Sequence, residues 1–462
     1  MILFSVFFLL CSLFVQGCYE DPTSCDERVY DRDSFVCVCD AEYCDVTGDF
    51  SIPFEGKFKR IISSRDAYRF HVIEEELKDF TNGDLKIEVN YEGEYQTILG
   101  FGGAFSDSTG INIYSLPKEA QSKLLRSYFS EEGIEYNMGR IPIGGTDFST
   151  RPYSNDDDHE DDVELKHFAL TEEDHIYKIP YIKEALSVSK DEVLLFSSIW
   201  SPPPWMKENK KHNGKGRLLR SMWDPYTNYM IRFVEEYQKH NLSLWGITTA
   251  NEPSSGLENW PWNACGFTAE DMRDWIKTSL GPGLEKANMN HLKIFDDKDA
   301  NKYVDGIGVH WYLDPSSDPQ ILNDFHESFP DKFILYTEAC EGVFNDPEDK
   351  VQLGSWERAE TYSSNIIEKE KEFYKQPMFY AMGHFSKFIK RGSKRLASTI
   401  SGKNSENLQV AAFRLTDPNS YAFVVLNKGD KEEDVSINTR GNKFINVQLN
   451  PKSLETIVIR MF

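Results

Sequence analysis

The chain has 462 residues, with 51 Lys and Arg against 75 Asp and Glu, so its formal net charge is −24. This length exceeds one small domain and suffices for a barrel with an accessory domain. The acidic balance argues against binding nucleic acid or an anionic membrane through a general electrostatic field. An excess of acidic residues would keep a protein soluble in an acidic compartment. The alternative is that the protein simply has an acidic surface.

Residues 1–17 are mostly apolar and end on the small residue Gly17. This pattern predicts a secretory signal peptide, although no Lys or Arg marks its start. A membrane anchor is the alternative, but the apolar run is short for a bilayer span. The chain is therefore expected to enter the secretory pathway.

Four closely spaced cysteines follow the predicted signal, namely Cys25, Cys37, Cys39 and Cys44. In a secreted chain such a cluster predicts disulfide bonds. A zinc site is the alternative, but no histidine lies nearby and the spacing is not a regular paired C-x-x-C. No metal site is expected here.

Short alternating segments with turn signals predict antiparallel β structure at both ends of the chain, in residues 18–94 and 392–462. Clear strands near the C-terminus lie at 410–415, 421–426 and 456–460. Because chain termini often lie close together, both ends are predicted to meet in one β-sandwich. The N-terminal part of this sandwich would carry the disulfides.

Between these ends, in residues 95–391, strands and helices alternate, which is typical of parallel α/β structure. Seven strands are predicted, at 97–102, 136–141, 193–198, 244–248, 292–295, 305–310 and 333–336. Helices are predicted at 118–129, 225–240, 269–280, 356–374 and 378–389. The pattern predicts a β/α barrel of the TIM type as the central domain.

Two places leave this barrel incomplete. A parallel crossover needs a dozen or more residues, yet only residues 296–304 separate the fifth and sixth strands. No eighth strand lies between the last two helices. The expected barrel therefore lacks strand 8 and a helix after strand 5.

Two of the predicted strands end on a glutamate, Glu252 and Glu338. A carboxylate at the carboxyl end of a barrel strand points into the mouth where barrel enzymes do chemistry. Most glycoside hydrolases use a pair of such carboxylates for catalysis. For either glutamate alone, the simpler interpretation is a strand cap or an ion pair with an arginine. The pair, one of them within Asn251-Glu252-Pro253, favours catalysis, with the charge of Glu338 raising the pKa of Glu252.

Residues near the strand ends supply candidate binding groups. Asn251 could donate to a sugar 2-hydroxyl or simply bond at its strand end. Arg140 could orient Glu338 or form a structural ion pair, and Tyr312 could hydrogen-bond Glu338. A metal role for His310 is not expected, since no second histidine has ligand spacing.

Aromatic residues on the same loops suggest contacts with a sugar or an aglycone. Trp200 offers an apolar face for a pyranose ring, whereas Trp205 is expected to pack. Trp260 could meet a lipid tail or merely pack within its loop. The complete predicted substrate-binding set is Asp147, Trp200, Asn251, Arg140, Tyr312, His310, Phe148 and Trp260. The acceptor sequence beginning at Asn241 predicts N-glycosylation in a secreted chain.

Several long blocks resemble one known family. They are Gly100-Phe101-Gly102-Gly103-Ala104, residues 127–134, Asn251-Glu252-Pro253-Ser254, residues 310–314, Glu338-Ala339-Cys340, residues 373–380 and 383–388, and the cluster Cys37-Val38-Cys39-Asp40 with Cys44. In these blocks the chain resembles the lysosomal glucosylceramidases, or acid β-glucosidases, of glycoside hydrolase family 30. The resemblance covers nearly the whole mature chain.

The resemblance implies a (β/α)8 barrel with a β-sandwich, Glu252 as acid/base and Glu338 as nucleophile, and cleavage of a β-glucosyl bond with retention. It implies that Asp147, followed by Phe148, binds glucose hydroxyls. Cys25–Cys37 and Cys39–Cys44 would be the bridges, and no metal or organic cofactor is expected.

The same resemblance implies a glycosphingolipid substrate, a saposin-type activator, a lysosomal membrane receptor and peripheral membrane contact. The implied location is the lysosome, with secretion as the alternative. Relative to the family, the chain lacks the eighth strand, which with its loop brings a tryptophan and an asparagine to the glycone pocket. Two other hypotheses therefore stay open: a silent paralogue or isoform with a binding role, and a retaining β-glycosidase for another sugar.

Overall fold

The computed structural model describes residues 23–48, 50–289, 293–295, 302–340, 351–361 and 372–461. The predicted signal peptide at residues 1–17 lies outside the described residues. Within them, no helix combines the length and apolar character that a bilayer span requires.

The described residues form strands and helices in an order that separates a central α/β region from β structure at both ends. The strands are β1 Glu27–Val29, β2 Phe35–Cys39, β3 Lys57–Ser64, β4 His71–Glu76, β5 Leu85–Thr97, β6 Gly102–Ala104, β7 Met138–Ile143, β8 Leu194–Ile199, β9 Gly246–Thr248, β10 Lys293–Phe295, β11 Gly306–His310, β12 Phe333–Glu338, β13 Phe373–Lys375, β14 Lys394–Ser401, β15 Leu408–Arg414, β16 Ser420–Asn427, β17 Glu433–Asn438, β18 Phe444–Leu449 and β19 Ser453–Arg460. The α-helices are α1 Asp107–Ser115, α2 Lys118–Phe129, α3 Ile179–Val188, α4 Trp223–Lys239, α5 Ala269–Trp275, α6 Gly281–Lys286, α7 Gln320–Ser328, α8 Trp356–Thr361 and α9 Pro377–Ser386.

The central sheet contains β6 to β12 in chain order, and every neighbouring pair is parallel. Strands β7 and β8 are almost continuously buried and apolar, as strands covered on both faces must be. This sheet confirms the parallel α/β prediction and the order of its seven strands. Among the described residues β6 and β12 are its two ends. Incomplete closure stays a prediction, because residues 341–350 and 362–371 lie outside that part of the chain.

Two predicted elements differ from the structure. The first barrel strand is β6, not residues 97–102, because β5 continues to Thr97 by pairing with Lys394 of β14. The helix predicted to reach residue 374 is wrong at its end, since β13 pairs antiparallel with β2. Both corrections have one cause: pairing with a strand far along the chain overrides local helix or strand preference.

Both ends of the chain meet in a nine-stranded sheet of order β18-β17-β5-β14-β15-β16-β19-β3-β4. Along β16, Tyr421, Phe423 and Val425 join a hydrophobic cluster within this sheet domain. The alternate residues Ala422 and Val424 join the large core shared with the barrel helices. Because successive side chains of a strand point to opposite faces, this sheet is packed on both faces, and one of them contacts the barrel domain.

The strands β1 and β2 form a separate small sheet with β13. They were expected within the sandwich segment 18–94, but β2 already has a partner on each edge. Disulfides Cys25–Cys37 and Cys39–Cys44 cross-link this region. These are the pairings that the family resemblance implies.

Candidate active site

The two glutamates lie at the carboxyl ends of barrel strands. Glu252 follows β9 after three residues, and Glu338 is the last residue of β12. The side chains of Arg140, Ser198 and His310 lie in or at the ends of β7, β8 and β11. Because the strands are parallel, their carboxyl ends lie at the same end of the barrel, and these side chains are gathered there.

Glu338 is held by two donors. Nη1 of Arg140 lies 2.5 Å from its Oε2, and the Tyr312 hydroxyl donates to its Oε1 at 2.9 Å. Both residues had been predicted as partners of Glu338. A carboxylate that has a cation on one oxygen and a phenol on the other is held in one orientation.

Glu252 has its own pair of contacts. Its Oε1 lies 2.8 Å from Nδ1 of His310, and its Oε2 accepts from the Ser255 hydroxyl at 3.2 Å. The hydrogen bond with His310 is the largest cause that lowers the pKa of Glu252, outweighing partial burial. The pKa of Glu252 is therefore lowered overall, opposite to the expected rise, because the bond to His310 favours the ionised carboxylate.

The carboxylates lie close together across the barrel mouth. An oxygen of Glu252, a ring nitrogen of His310 and an oxygen of Glu338 all lie within 4.8 Å of one another. These three ligand atoms are close enough for a cation to bridge them. Hydrogen bonds already join His310 to Glu252 and Arg140 to Glu338, so the cluster has internal partners without an ion. The expectation of no metal cofactor stays a prediction.

Arg140 connects the two strands that carry the glutamates. Besides Glu338, its Nη2 donates to Asn251 Oδ1 at 2.8 Å and to Ser198 Oγ at 3.1 Å. Ser198 in turn accepts the hydroxyl of Thr248 at 2.6 Å. Arg140 is buried, and its fork of donors therefore sets the relative positions of Asn251 and Glu338.

Asp147 and Trp200 form the next group. Desolvation and the negative charges of Glu338 and Glu252 raise the pKa of Asp147 to about 6, while a hydrogen bond with Trp200 opposes this. Part of the Asp147 residue is exposed, while its carboxyl group lies near both glutamates and Trp200. Trp200 is only 5% exposed, and the Arg140 guanidinium lies 4.7 Å from its ring centroid. Its ring is thus mostly covered, and contact between this ring and a sugar stays a prediction.

Two predicted residues lie outside this cluster. Phe148 is 54% exposed and Trp260 is 41% exposed. Trp260 stacks on Trp262 at a centroid distance of 4.7 Å. Trp205 is buried and donates to the Asp156 carbonyl oxygen, so it packs as predicted. Asn241 is exposed between α4 and β9, at the opposite end of the strand from Glu252.

Sequence reasoning missed two serines in the cluster. Ser198 accepts from Arg140, and Ser255 donates to Glu252. Ser198 could have been found, since it stands near the carboxyl end of a predicted barrel strand. Ser255 lies in a loop, where spacing alone does not reveal the direction of a side chain. Cys340 also lies beside Tyr312, and burial raises the pKa of its thiol to about 11, which keeps it protonated.

Comparisons with known proteins agree with this geometry. Residues 98–372 match the glycosyl hydrolase family 30 TIM-barrel domain, and residues 392–457 match the family 30 β-sandwich domain. The chain is 35% identical to the lysosomal acid glucosylceramidase of Mus musculus over 94% of this chain and 95% of that one.

Solved structures show the same fold. The crystal structure of SrfJ from Salmonella typhimurium has a TM-score of 0.77 and 22% identity, covering 88% of this chain and all of that one. An endo-β1,6-glucanase has a TM-score of 0.73 and 21% identity over the same shares. At these identities the structures establish architecture only. With both domain models and a full-length relative in agreement, the chain belongs to glycosyl hydrolase family 30 and is a glycosidase.

Proposed function

We propose that this protein is a retaining β-glucosidase that hydrolyses glucosylceramide in sphingolipid catabolism. The observation that carries the proposal is the approach of Glu252 and Glu338 to within 4.8 Å through their oxygens. Retaining glycosidases keep their two carboxyl groups about 5–5.5 Å apart, whereas inverting enzymes separate them by about 6.5–9.5 Å to admit a water. The short separation supports direct attack by a carboxylate.

Glu338 has the role of nucleophile. Its oxygens are held by Arg140 and Tyr312, which fix its orientation. It attacks the anomeric carbon and forms a glycosyl-enzyme ester as the bond to the leaving oxygen breaks. Once the ester forms, the negative charge of Glu338 is gone, so the pKa of Glu252 falls further.

Glu252 has the role of acid and then base. It protonates the leaving oxygen in the first step and takes a proton from water in the second. Because its pKa is lowered by His310, the protonated form is populated only at acidic pH. This supports the proposal that the enzyme acts in an acidic compartment. The proposed location is the lysosome, as the name of the mouse relative also suggests.

The glucose ring would be bound by Asp147 and Asn251. The Asn251 oxygen is used by Arg140, so the amide nitrogen is the group that would donate to the 2-hydroxyl. The Asp147 carboxyl group lies near both glutamates and Trp200, and a carboxyl group can accept from two neighbouring hydroxyls. Phe148 and Trp260, both exposed, would meet the aglycone or a lipid surface.

The decisive test uses Glu252→Gln and a trapped intermediate. Glu252→Gln should slow hydrolysis of a poor leaving group strongly, and azide should restore turnover of an activated aryl glucoside by replacing the water that needs a base. A 2-fluoro-β-glucoside should label Glu338 in the wild-type protein. The exposed neighbour Glu258 provides the control Glu258→Gln, which should behave as wild type. A folded chain without azide rescue and without a label on Glu338 would refute the proposal and favour a silent binding protein.

Partners follow from the same proposal. A saposin-type activator, a lysosomal membrane receptor and peripheral membrane contact would bring the enzyme to its lipid, with N-glycosylation at the exposed Asn241. Flotation with glucosylceramide vesicles, with and without a saposin, tests the lipid contact. Trp260→Ala should reduce flotation while leaving aryl-glucoside turnover intact. Equal flotation of both proteins would remove Trp260 from the membrane contact.

A further inference from the structure

The backbone directly after Glu252 forms a tight turn. Residues Ser255–Leu257 make one turn of 3-10 helix, and the Ser255 amide donates to the Glu252 carbonyl at 2.8 Å. Glu252 itself has a φ of 42°, in the left-handed region that residues with a Cβ rarely adopt. Such a conformation persists only where the surroundings enforce it. The turn is part of what holds the Glu252 backbone in place.

The turn also delivers a hydroxyl to the carboxylate. Ser255 Oγ donates to Oε2 of Glu252 at 3.2 Å, while Nδ1 of His310 lies 2.8 Å from Oε1. The two oxygens of Glu252 therefore have different partners, one in the turn that follows Glu252 and one at the end of β11. Rotation of the carboxyl group would break both hydrogen bonds.

Three glycines fix the position of this turn. Gly216 donates to the Gly256 carbonyl at 3.0 Å, and Gly266 donates to the Gly216 carbonyl at 2.9 Å. A Cβ placed on Gly256 would lie 2.0 Å from the Gly266 nitrogen, a distance that backbone atoms do not tolerate. The turn thus packs directly against the backbone at Gly216 and at Gly266. These contacts hold Ser255 in a fixed position.

We propose that Ser255 is a positioning residue for Glu252, holding Oε2 so that the carboxyl keeps one orientation both as acid and as base. This inference rests on the proposed function, in which Glu252 is the acid/base. The hydroxyl acts through the Glu252 carboxyl group and does not itself exchange a proton with the substrate. It acts by favouring the ionised carboxylate and by excluding other rotations of it.

The consequence can be measured in a pH profile. A hydrogen bond donated to a carboxylate lowers its pKa, so removing the hydroxyl raises the pKa of Glu252. The basic limb of kcat/KM reports the essential acid in the free enzyme. In Ser255→Ala this limb should move to higher pH by about 0.5 unit, while the acidic limb should not move.

The experiment compares an alkyl β-glucoside, which needs a proton on its leaving group, with a dinitrophenyl β-glucoside, which does not. Ser255→Ala should lose about fivefold in kcat/KM on the alkyl substrate and less than about twofold on the activated one. Ser255→Thr keeps the hydroxyl and should restore the wild-type profile. The exposed neighbour Ser254 provides the matched control Ser254→Ala, which should change nothing.

Two outcomes separate the inference from the function on which it rests. If azide rescues Glu252→Gln but Ser255→Ala keeps the wild-type limbs and leaving-group dependence, Ser255 has no positioning role. If azide does not rescue Glu252→Gln, the acid/base assignment itself fails. Gly256→Ala is an independent check, because it displaces the turn while retaining the hydroxyl. It should reproduce the selective loss on the alkyl substrate, and wild-type behaviour of Gly256→Ala would also contradict the inference.

Discussion

Nη1 of Arg140 lies 2.5 Å from Oε2 of Glu338, and the arginine side chain is almost fully buried. A buried guanidinium beside a carboxylate neutralises its charge, and removal of one partner leaves the other uncompensated. The same guanidinium donates to Asn251. One side chain therefore sets both the position of the proposed nucleophile and the position of the Asn251 amide.

Arg140→Gln is expected to lower kcat/KM by about 100-fold or more, because both the charge and the fork of donors are lost. Arg140→Lys keeps the charge without the fork and should also remain strongly impaired. The measurement is steady-state kinetics together with the rate of labelling of Glu338. Arg151→Gln, which breaks the peripheral Arg151–Glu173 pair, is the control. Retention of activity within threefold by Arg140→Gln would contradict the assigned role.

Tyr312→Phe is expected to reduce kcat about tenfold, because the Tyr312 hydroxyl donates to Glu338 Oε1 at 2.9 Å and a hydrogen bond to a charged acceptor is worth about 1.5–3 kcal/mol. The substitution removes one oxygen and keeps the ring. Single-turnover labelling by an activated glucoside measures the effect on attack. Tyr336→Phe, which removes an exposed bond to Asp314, should be silent. Equal rates for both variants would exclude a role for the Tyr312 hydroxyl.

Asp156→Asn is expected to stabilise the protein near neutral pH. Asp156 is 3% exposed, its carboxylate oxygens have no hydrogen-bond partner among the residues that the structure describes, and burial raises its pKa to about 6. Its folded pKa exceeds the unfolded value of about 3.9, so folding becomes less favourable as the pH rises from about 4 through 6. With allowance for solvent screening, the Asp156→Asn substitution should raise the free energy of unfolding by about 1 kcal/mol at pH 7. At pH 4 it should change this free energy little.

The measurement for Asp156→Asn is the thermal midpoint as a function of pH. The difference from wild type should grow between pH 4 and pH 7. Asp158→Asn, at an exposed neighbouring position, should show no such slope. A difference that does not depend on pH would mean that the charge of Asp156 is not the cause.

Loss of the disulfides is expected to reduce stability without altering the site. Cys25–Cys37 spans 12 residues and Cys39–Cys44 spans 5. Loop-closure entropy gives about 3 kcal/mol for the longer loop and about 2 kcal/mol for the shorter. Paired serine variants, unfolded in denaturant, measure the two values. Aryl-glucoside turnover at low temperature should be unchanged, and a lost activity in a folded variant would show that the small sheet supports the cleft.

Much of the barrel could be predicted because its strands are short apolar runs separated by helices. Periodicity alone located β7, β8, β9, β11 and β12 to within a few residues. Both glutamates, together with Arg140 and Tyr312, were predicted from their positions at strand ends, since parallel strands gather those ends on one face. The position of β13 could not be predicted, because its partner β2 lies more than 300 residues earlier.

The sequence by itself determined the fold class, the meeting of both chain ends in one sheet and the pair of glutamates, because strand periodicity and strand-end position are local properties. Only the tertiary structure decided that His310 binds Glu252 and lowers its pKa, that Arg140 covers the ring of Trp200, and that Ser255 reaches Oε2. Hydrogen bonding and desolvation depend on distances between side chains that are far apart in the chain. The shift of a pKa can therefore be opposite to the one that the sequence pattern leads us to expect.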